Sequence, residues 1–140
     1  VIIVDTGAWV GLANKRDQFH QRCVRFFRDN REALVTTNPV LVETVHLLYQ
    51  RVGVHMTLAF LDTIHKQSVS VHRPKEGELV EAIALMRRYR NLPMDLADAS
   101  LVLLAEALGD GRIVSTDQRD FDSYRWKNHQ PFKNLLMRSL

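Results

Sequence analysis

The stretch Ile113 to Phe121, IVSTDQRDF, climbs from an apolar pair to Ser115 and Thr116, stops at Asp117, and carries a second acid at Asp120. The chain opens the same way. VIIVDTG, Val1 to Gly7, is an apolar run that stops at Asp5, ahead of Thr6 and Gly7. A run that is apolar at every position, rather than at alternate ones, is the pattern of a strand buried on both faces, as in a parallel sheet. Such sheets take their ligands at the carboxyl ends of the strands. Two acids that each close a strand therefore belong to one edge of a sheet, facing a site and solvent rather than the core.

The residues between these runs alternate short β-rich segments with longer helical ones. His20 to Asn30 carries Val24, Phe26 and Phe27 among polar residues and predicts a helix. Ala33 to Thr36 predicts a second strand. Asn38 then offers an N-cap with Pro39 at the first helical position. Val40, Leu41, Val45, Leu47 and Leu48 give that helix its apolar face, and Gly53 ends it. Further helices are expected over Thr57 to Lys66 and over Lys75 to Arg90, the latter with Leu79, Ile83 and Met86 at helical spacing. NLPMD breaks it, and an apolar helix follows from Leu96 to Leu108, closed by Gly109. Val69 to Val71 and Arg112 to Thr116 predict the third and fourth strands. Strands separated by helices imply an α/β protein: a single domain over residues 1–140, with a small, mainly parallel central sheet flanked by helices.

Composition agrees with a globular domain and excludes several classes. Of 140 residues, 46% are apolar and 25% charged, ordinary values for a globular protein. No apolar stretch approaches the ~20 residues of a membrane span, and the four-residue run before Asp5 predicts no signal peptide. Cys23 is the only cysteine. It can form neither an internal disulfide nor a thiolate zinc site, so a free structural thiol and a cytoplasmic setting are expected. The six histidines are scattered, with no close pair at zinc spacing. A net charge of +3 permits a polyanionic partner without demanding one. Arg22, Arg25 and Arg28 repeat along one helix face, and Arg87, Arg88 and Arg90 form a second cluster. Either is by itself most simply a solvated surface.

The acids carry more information. In a parallel sheet, strand carboxyl ends and helix N-termini share one side. Asp5 and Asp117 follow strands, Glu43 sits one turn into a helix, and Asp98 lies in the first turn of the long apolar helix. All four can then converge on one cleft. Each alone has an ordinary structural role: Asp98 favours a helix dipole, Asp95 is an N-cap candidate for the same helix, and Asp117 suits a turn. Together, four carboxylates at one edge would raise one another's pKa, a cost that a divalent cation removes. An oxygen donor set without cysteine or histidine suits Mg²⁺ or Mn²⁺. The hydroxyls of Thr6, Ser115 and Thr116 either orient these carboxylates or make turn hydrogen bonds.

VIIVDTGAWVGL, NPVLVETVHLL, PMDLADASLVLLAE and RIVSTDQRDFDSYR resemble, in order, the acidic motifs of PIN-domain ribonucleases, above all the VapC-type toxins of toxin–antitoxin pairs. Each motif is weak alone; the ordered set, spanning Val1 to about Arg125, is specific. The resemblance implies a three-layer PIN-like fold and an endoribonuclease that depends on Mg²⁺ or Mn²⁺ and cleaves RNA with an ion-activated water. It maps the catalytic and metal-holding acids onto Asp5, Glu43, Asp98 and Asp117. Asp95 matches an extra acid of many members, Ser115 the small hydroxyl residue two before the fourth acid, and Asp120 with Phe121 a structural DF pair. It further implies an antitoxin protein as partner and a homodimer; that no membrane is involved is expected from the apolar stretches alone, none of which is long enough to span one.

Two rival readings set the tests. A phosphoacceptor module of the receiver type also has acids at strand ends, but it needs an acidic pair after the first strand and an Asp ending the third. Here Asp5 stands alone, and the third predicted strand leads into His72 and Arg73. A catalytically silent PIN-type module that binds RNA or a partner is the other alternative.

Overall fold

In the computed structural model, which describes residues 1–137, strands β1 (Ile2–Val4), β2 (Leu34–Thr37), β3 (Ser70–His72) and β4 (Arg112–Val114) alternate with helices. Helices α1 (Thr6–Ala13) and α2 (His20–Asp29) separate β1 from β2. Helices α3 (Asn38–Arg51) and α4 (Val54–Lys66) precede β3, and α5 (Glu78–Arg88) and α6 (Leu96–Leu108) precede β4. The chain then forms α7 (Gln118–Ser123) and three two-residue strands: β5 (Arg125–Trp126), β6 (Gln130–Pro131) and β7 (Lys133–Asn134).

Five strands form one sheet in the order β3-β2-β1-β4-β7, and every neighbouring pair in it is parallel. β5 and β6 form a separate antiparallel pair. Ile3 of β1 lies between Val35 and Ile113 in register, and Ile2, Ile3 and Val4 are all buried, as their unbroken apolar run requires. From β1 the chain moves outward to β2 and then β3, and returns across the sheet to place β4 on the other side of β1. The strand order thus reverses between β1 and β4, the crevice where α/β sheets of this kind hold ligands. No described helix is long and apolar enough to cross a membrane.

Several elements differ from the sequence expectation. Helix α1 was not anticipated, because TGAWVGLA is apolar on almost every side and lacks a 3.6-residue stripe. It is buried around most of its circumference, with Trp9 stacked on Phe27 at 5.3 Å and edge-on to Phe60 at 5.7 Å. The N-cap of α3 is Thr37, not Asn38: β2 runs on to Thr37, which is extended, and its hydroxyl accepts from the Val40 N–H. Asn38 is already helical. Gly53 ends α3 as expected, one residue past the Val52 C-cap, with its N–H donating to the Leu48 carbonyl at 3.0 Å. It precedes α4 with φ 88°, a left-handed backbone that glycine adopts without strain, and α4 begins at Val54. Helix α5 turns a different face inward. Ala82 and Leu85 are buried, while Leu79 and Ile83 are 62% and 40% exposed. The β5–β6 pair and β7 were also missed; two-residue strands carry no periodicity. Cys23 is a free, buried thiol, pushed up to about 11 chiefly by burial.

Candidate active site

The reversal between β1 and β4 brings the ends of both strands to one cleft of about 460 Å³. Asp5 leaves β1 and caps α1, accepting from the Thr6 N–H at 2.7 Å. Ser115 leaves β4, and its hydroxyl donates to Asp5 Oδ2 at 2.8 Å while accepting from the Asp117 N–H at 2.9 Å. One buried serine, bonded to Asp5 across 110 residues of chain and to the Asp117 backbone two residues on, therefore ties the first acid to the fourth. Asn134 of β7 fixes that serine, accepting from its N–H at 3.2 Å and donating to its carbonyl at 2.8 Å.

The remaining acids arrive on helices. Glu43 projects from α3. Asp95 caps α6, accepting from the Asp98 N–H at 2.8 Å. Asp98 accepts at 3.0 Å from the hydroxyl of Tyr124, a fully buried residue whose ring packs edge-on against Tyr89 and Phe121. Asp117 caps α7 by accepting from the Asp120 N–H at 3.1 Å. Asp5, Thr6, Glu43, Asp95, Asp98, Thr116 and Asp117 all line the cleft, with Asp17 and Asp120 beside them. Ser115 lies buried behind its wall. Phe121 is buried against Phe132 and Tyr124, the packing role expected of it.

The electrostatic consequence is a set of reluctant carboxylates. Burial pushes Asp5 up to about 7, with Glu43 and Asp117 adding to the rise and the bonds from Ser115 and Thr6 opposing it. Asp98 is pushed up to about 8 by burial and by the charges of Asp5, Asp95 and Asp117, against the stabilising bond from Tyr124. Glu43 is raised by burial and by Asp95. Asp120 is raised by burial and by its contact with Asp117. The Thr6 hydroxyl lies near enough to Glu43 to hold that rise back, yet it is buried and meets full hydrogen-bond geometry with no described residue.

The donor set fits a hard divalent cation: carboxylate oxygens from several elements, no sulfur, and a buried hydroxyl still lacking a partner. Among the described residues, no three Asp, Glu, His or Cys side chains already stand close enough together to hold one ion. The acids face a shared space without closing it. Three participants escaped the sequence. Tyr124 and Asn134 act through single long-range bonds that leave no local pattern. Arg51, the one positive charge among the cleft's lining residues, belongs to neither arginine cluster noted in the sequence.

Comparison with known proteins follows the same lines. The chain is 26% identical over 124 residues to Ribonuclease VapC26 of Mycobacterium tuberculosis, covering 89% of this chain and 92% of that protein. Its fold superposes with a TM-score of 0.82 on the crystal structure of Mycobacterium tuberculosis VapC20, a sarcin-ricin loop cleaving toxin. That match spans 94% of this chain and 100% of VapC20, at 24% identity. A family model described as the PIN domain matches residues 2–127, and with its motifs, its parallel sheet and its acidic cleft the chain belongs to the PIN-domain family.

Proposed function

We propose that this protein is an endoribonuclease of the VapC type, the toxin of a toxin–antitoxin pair, working with Mg²⁺ or Mn²⁺. The observation that carries the reading is the convergence of Asp5, Glu43, Asp98 and Asp117 on one cleft, with Asp5 and Asp98 held near or above neutrality. Carboxylates so short of positive charge are an expensive way to stabilise a fold and a suitable way to hold a cation. In the bound state the ion would polarise the scissile phosphate and make water a nucleophile near neutral pH.

The chain's own groups have distinct tasks in this scheme. Asp5, fixed at both oxygens by Thr6 and Ser115, is the most rigid ligand candidate. Asp98 is aimed by Tyr124. Glu43 and Asp117 approach from α3 and from the end of β4 and complete the oxygen donors. Asp95 spends one oxygen on the α6 N-terminus and supports Asp98. Thr6 and Thr116 line the cleft and can orient water. The proposed partners are an RNA substrate, an antitoxin protein that competes for the acidic cleft, and a second copy of the chain in a homodimer. The proposed setting is the cytoplasm.

Incubation of the pure protein with RNA and Mn²⁺ tests the reading. Cleavage that stops with EDTA and is lost in Asp98→Asn supports it. Intact RNA under all conditions, with RNA still bound, would make the protein a silent binding module instead.

A further inference from the structure

The acidic cleft has an exit. Arg51, in the last turn of α3, lines the cleft and also lines an adjoining trough of about 540 Å³. The trough runs between the end of α1 and the α3–α4 turn and is bordered by Lys15, Arg16, Tyr49 and Gln50. Its charge is the reverse of the cleft's, with three cations and no carboxylate among its lining residues. None of the three forms an ion pair among the described residues. Other arginines are used internally: Arg112 holds Asp110 and Glu32, and Arg28 pairs with Asp29. The α3 dipole accounts for a cation at position 51, but it does not call for Lys15 and Arg16 opposite. The Arg16 backbone is fixed by an Asn14 side chain that accepts its N–H at 3.0 Å, so the loop is set while both cationic heads stay exposed. Tyr49 stands on the same border, 48% exposed, with no hydrogen-bond partner among the described residues.

We infer that this trough carries an unpaired RNA strand leaving the acidic cleft, with Arg51, Lys15 and Arg16 on successive phosphates and Tyr49 stacking on a base. The inference rests on the nuclease reading for the direction of the strand, and adds to it a single-stranded segment on one side of the cut. Cations that track a backbone beside an exposed aromatic are the recurring solution for single strands, since every base has a stacking face. The arrangement also resolves a conflict in the cleft itself. Seven acids repel a polyanion, and a strand can stay there only if flanking phosphates are held by cations close by.

The test separates binding from cleavage. A fluorescein-labelled single-stranded RNA is titrated by anisotropy, in EDTA, with the Asp98→Asn protein and with the same protein carrying Lys15→Ala/Arg16→Ala, Arg51→Ala or Tyr49→Ala. Each trough variant should bind on the order of tenfold more weakly, and Tyr49→Phe should bind normally. The salt dependence should flatten by about 0.7 in log–log slope for each cation removed. Arg87→Ala/Arg88→Ala, on α5, is the control and should change nothing. These side chains are exposed, so melting temperatures should stay level. Unchanged RNA affinity in the trough variants overturns the inference, and if the parent still cuts RNA, the nuclease reading survives without it. Weakened RNA binding in a parent that never cuts RNA keeps the trough and sinks the nuclease. Unchanged RNA affinity with lost binding of an acidic peptide would assign the trough to a protein partner, and so also overturns the inference.

Discussion

Tyr124 donates its hydroxyl to Asp98 at 3.0 Å from a ring with no solvent exposure. The bond joins the α7–β5 connection to the first turn of α6, and it spans 26 residues. Its donor is directional and its acceptor is the most strongly raised acid of the cleft. The tyrosine therefore aims one Asp98 oxygen, steadies its charged form and leaves the other oxygen to the cleft. Asp98 in return pushes the phenol well above its ordinary range, after burial, so Tyr124 remains a donor at every working pH.

Tyr124→Phe removes only that bond. The loss of one buried hydrogen bond costs about 1 kcal/mol, while loss of an orienting partner behind a metal ligand costs ~10–100-fold in metal affinity or activity. The expected outcome is a small drop in melting temperature with a much larger rise in the Mn²⁺ concentration needed for half-maximal cleavage. Calorimetric titration with Mn²⁺ should show the same weakening without RNA. Wild-type Mn²⁺ affinity in the variant would reduce Tyr124 to a packing residue.

Asp98→Asn keeps size and shape and removes a charge that its neighbours resist. Cleavage should be lost. Melting in EDTA near pH 8 should be unchanged or higher than in the parent, because repulsion from Asp5, Asp95 and Asp117 is relieved. The sign separates the roles, since an aspartate serving only as a structural cap loses roughly 0.5–2 kcal/mol on truncation to Ala. Asp95→Ala should follow that second pattern, as its oxygen holds the α6 N-terminus. Retained cleavage in Asp98→Asn would remove Asp98 from the site.

Stability should depend on pH in the direction opposite to that of ordinary surface carboxylates. The folded pKa values of Asp5 and Asp98, about 7 and about 8, lie above the unfolded value of 3.8. Between these limits the native state holds protons that the unfolded chain has released, so stability falls as pH rises. Their contribution is fully present below about pH 4 and lost by about pH 8. Asp29 and Asp110 are lowered instead and act in the opposite sense only in the acid range. In EDTA the melting temperature should thus be higher near pH 5.5 than near pH 8.5. Mn²⁺ should narrow the gap by stabilising the protein most at high pH, because ion binding displaces those protons. A melting temperature that rises with pH across this range in EDTA would contradict the burial of these acids.

Much of this was legible in the chain, for identifiable reasons. The unbroken apolar run ending at Asp5, and the apolar pair Ile113–Val114 that leads through Ser115 and Thr116 to Asp117, announce buried parallel strands, and Asp95 with Gly109 brackets α6 at both ends. Those signals are local, and the structure keeps them. The helix after Asp5 was not legible because a segment buried on most sides has no amphipathic stripe, and its N-cap is the same aspartate that ends the strand motif. The face of α5 was misjudged because Leu79, Ile83 and Met86 fit a helical period as well as Ala82, Leu85 and Met86 do, and only packing against α6 decides between them. The bonds of Asn134 to Ser115 and of Tyr124 to Asp98 are tertiary facts with no counterpart in spacing.

Gly7 provides the most local test of how the cleft is assembled. It sits in the first turn of α1, where alanine would ordinarily be the better helix former by about 1 kcal/mol. A methyl group there would run into the Thr116 hydroxyl, with Thr116 Cβ only 3.2 Å away even if that hydroxyl rotated aside. Glycine thus lets the α1 N-terminus, which carries Asp5, approach the end of β4, which carries Ser115 and Asp117. Gly7→Ala should destabilise the protein by ~1–3 kcal/mol, the usual cost of overpacking, and lower cleavage by spreading these acids apart. Adding Thr116→Ala removes the colliding hydroxyl and should restore most of both. Thr116→Ala alone should be close to wild type in stability; if it abolishes cleavage with the fold intact, the Thr116 hydroxyl has a role in the cleft beyond setting this spacing. A Gly7→Ala protein that melts and cleaves like the parent would show that the two strand ends do not need this close approach to form the site.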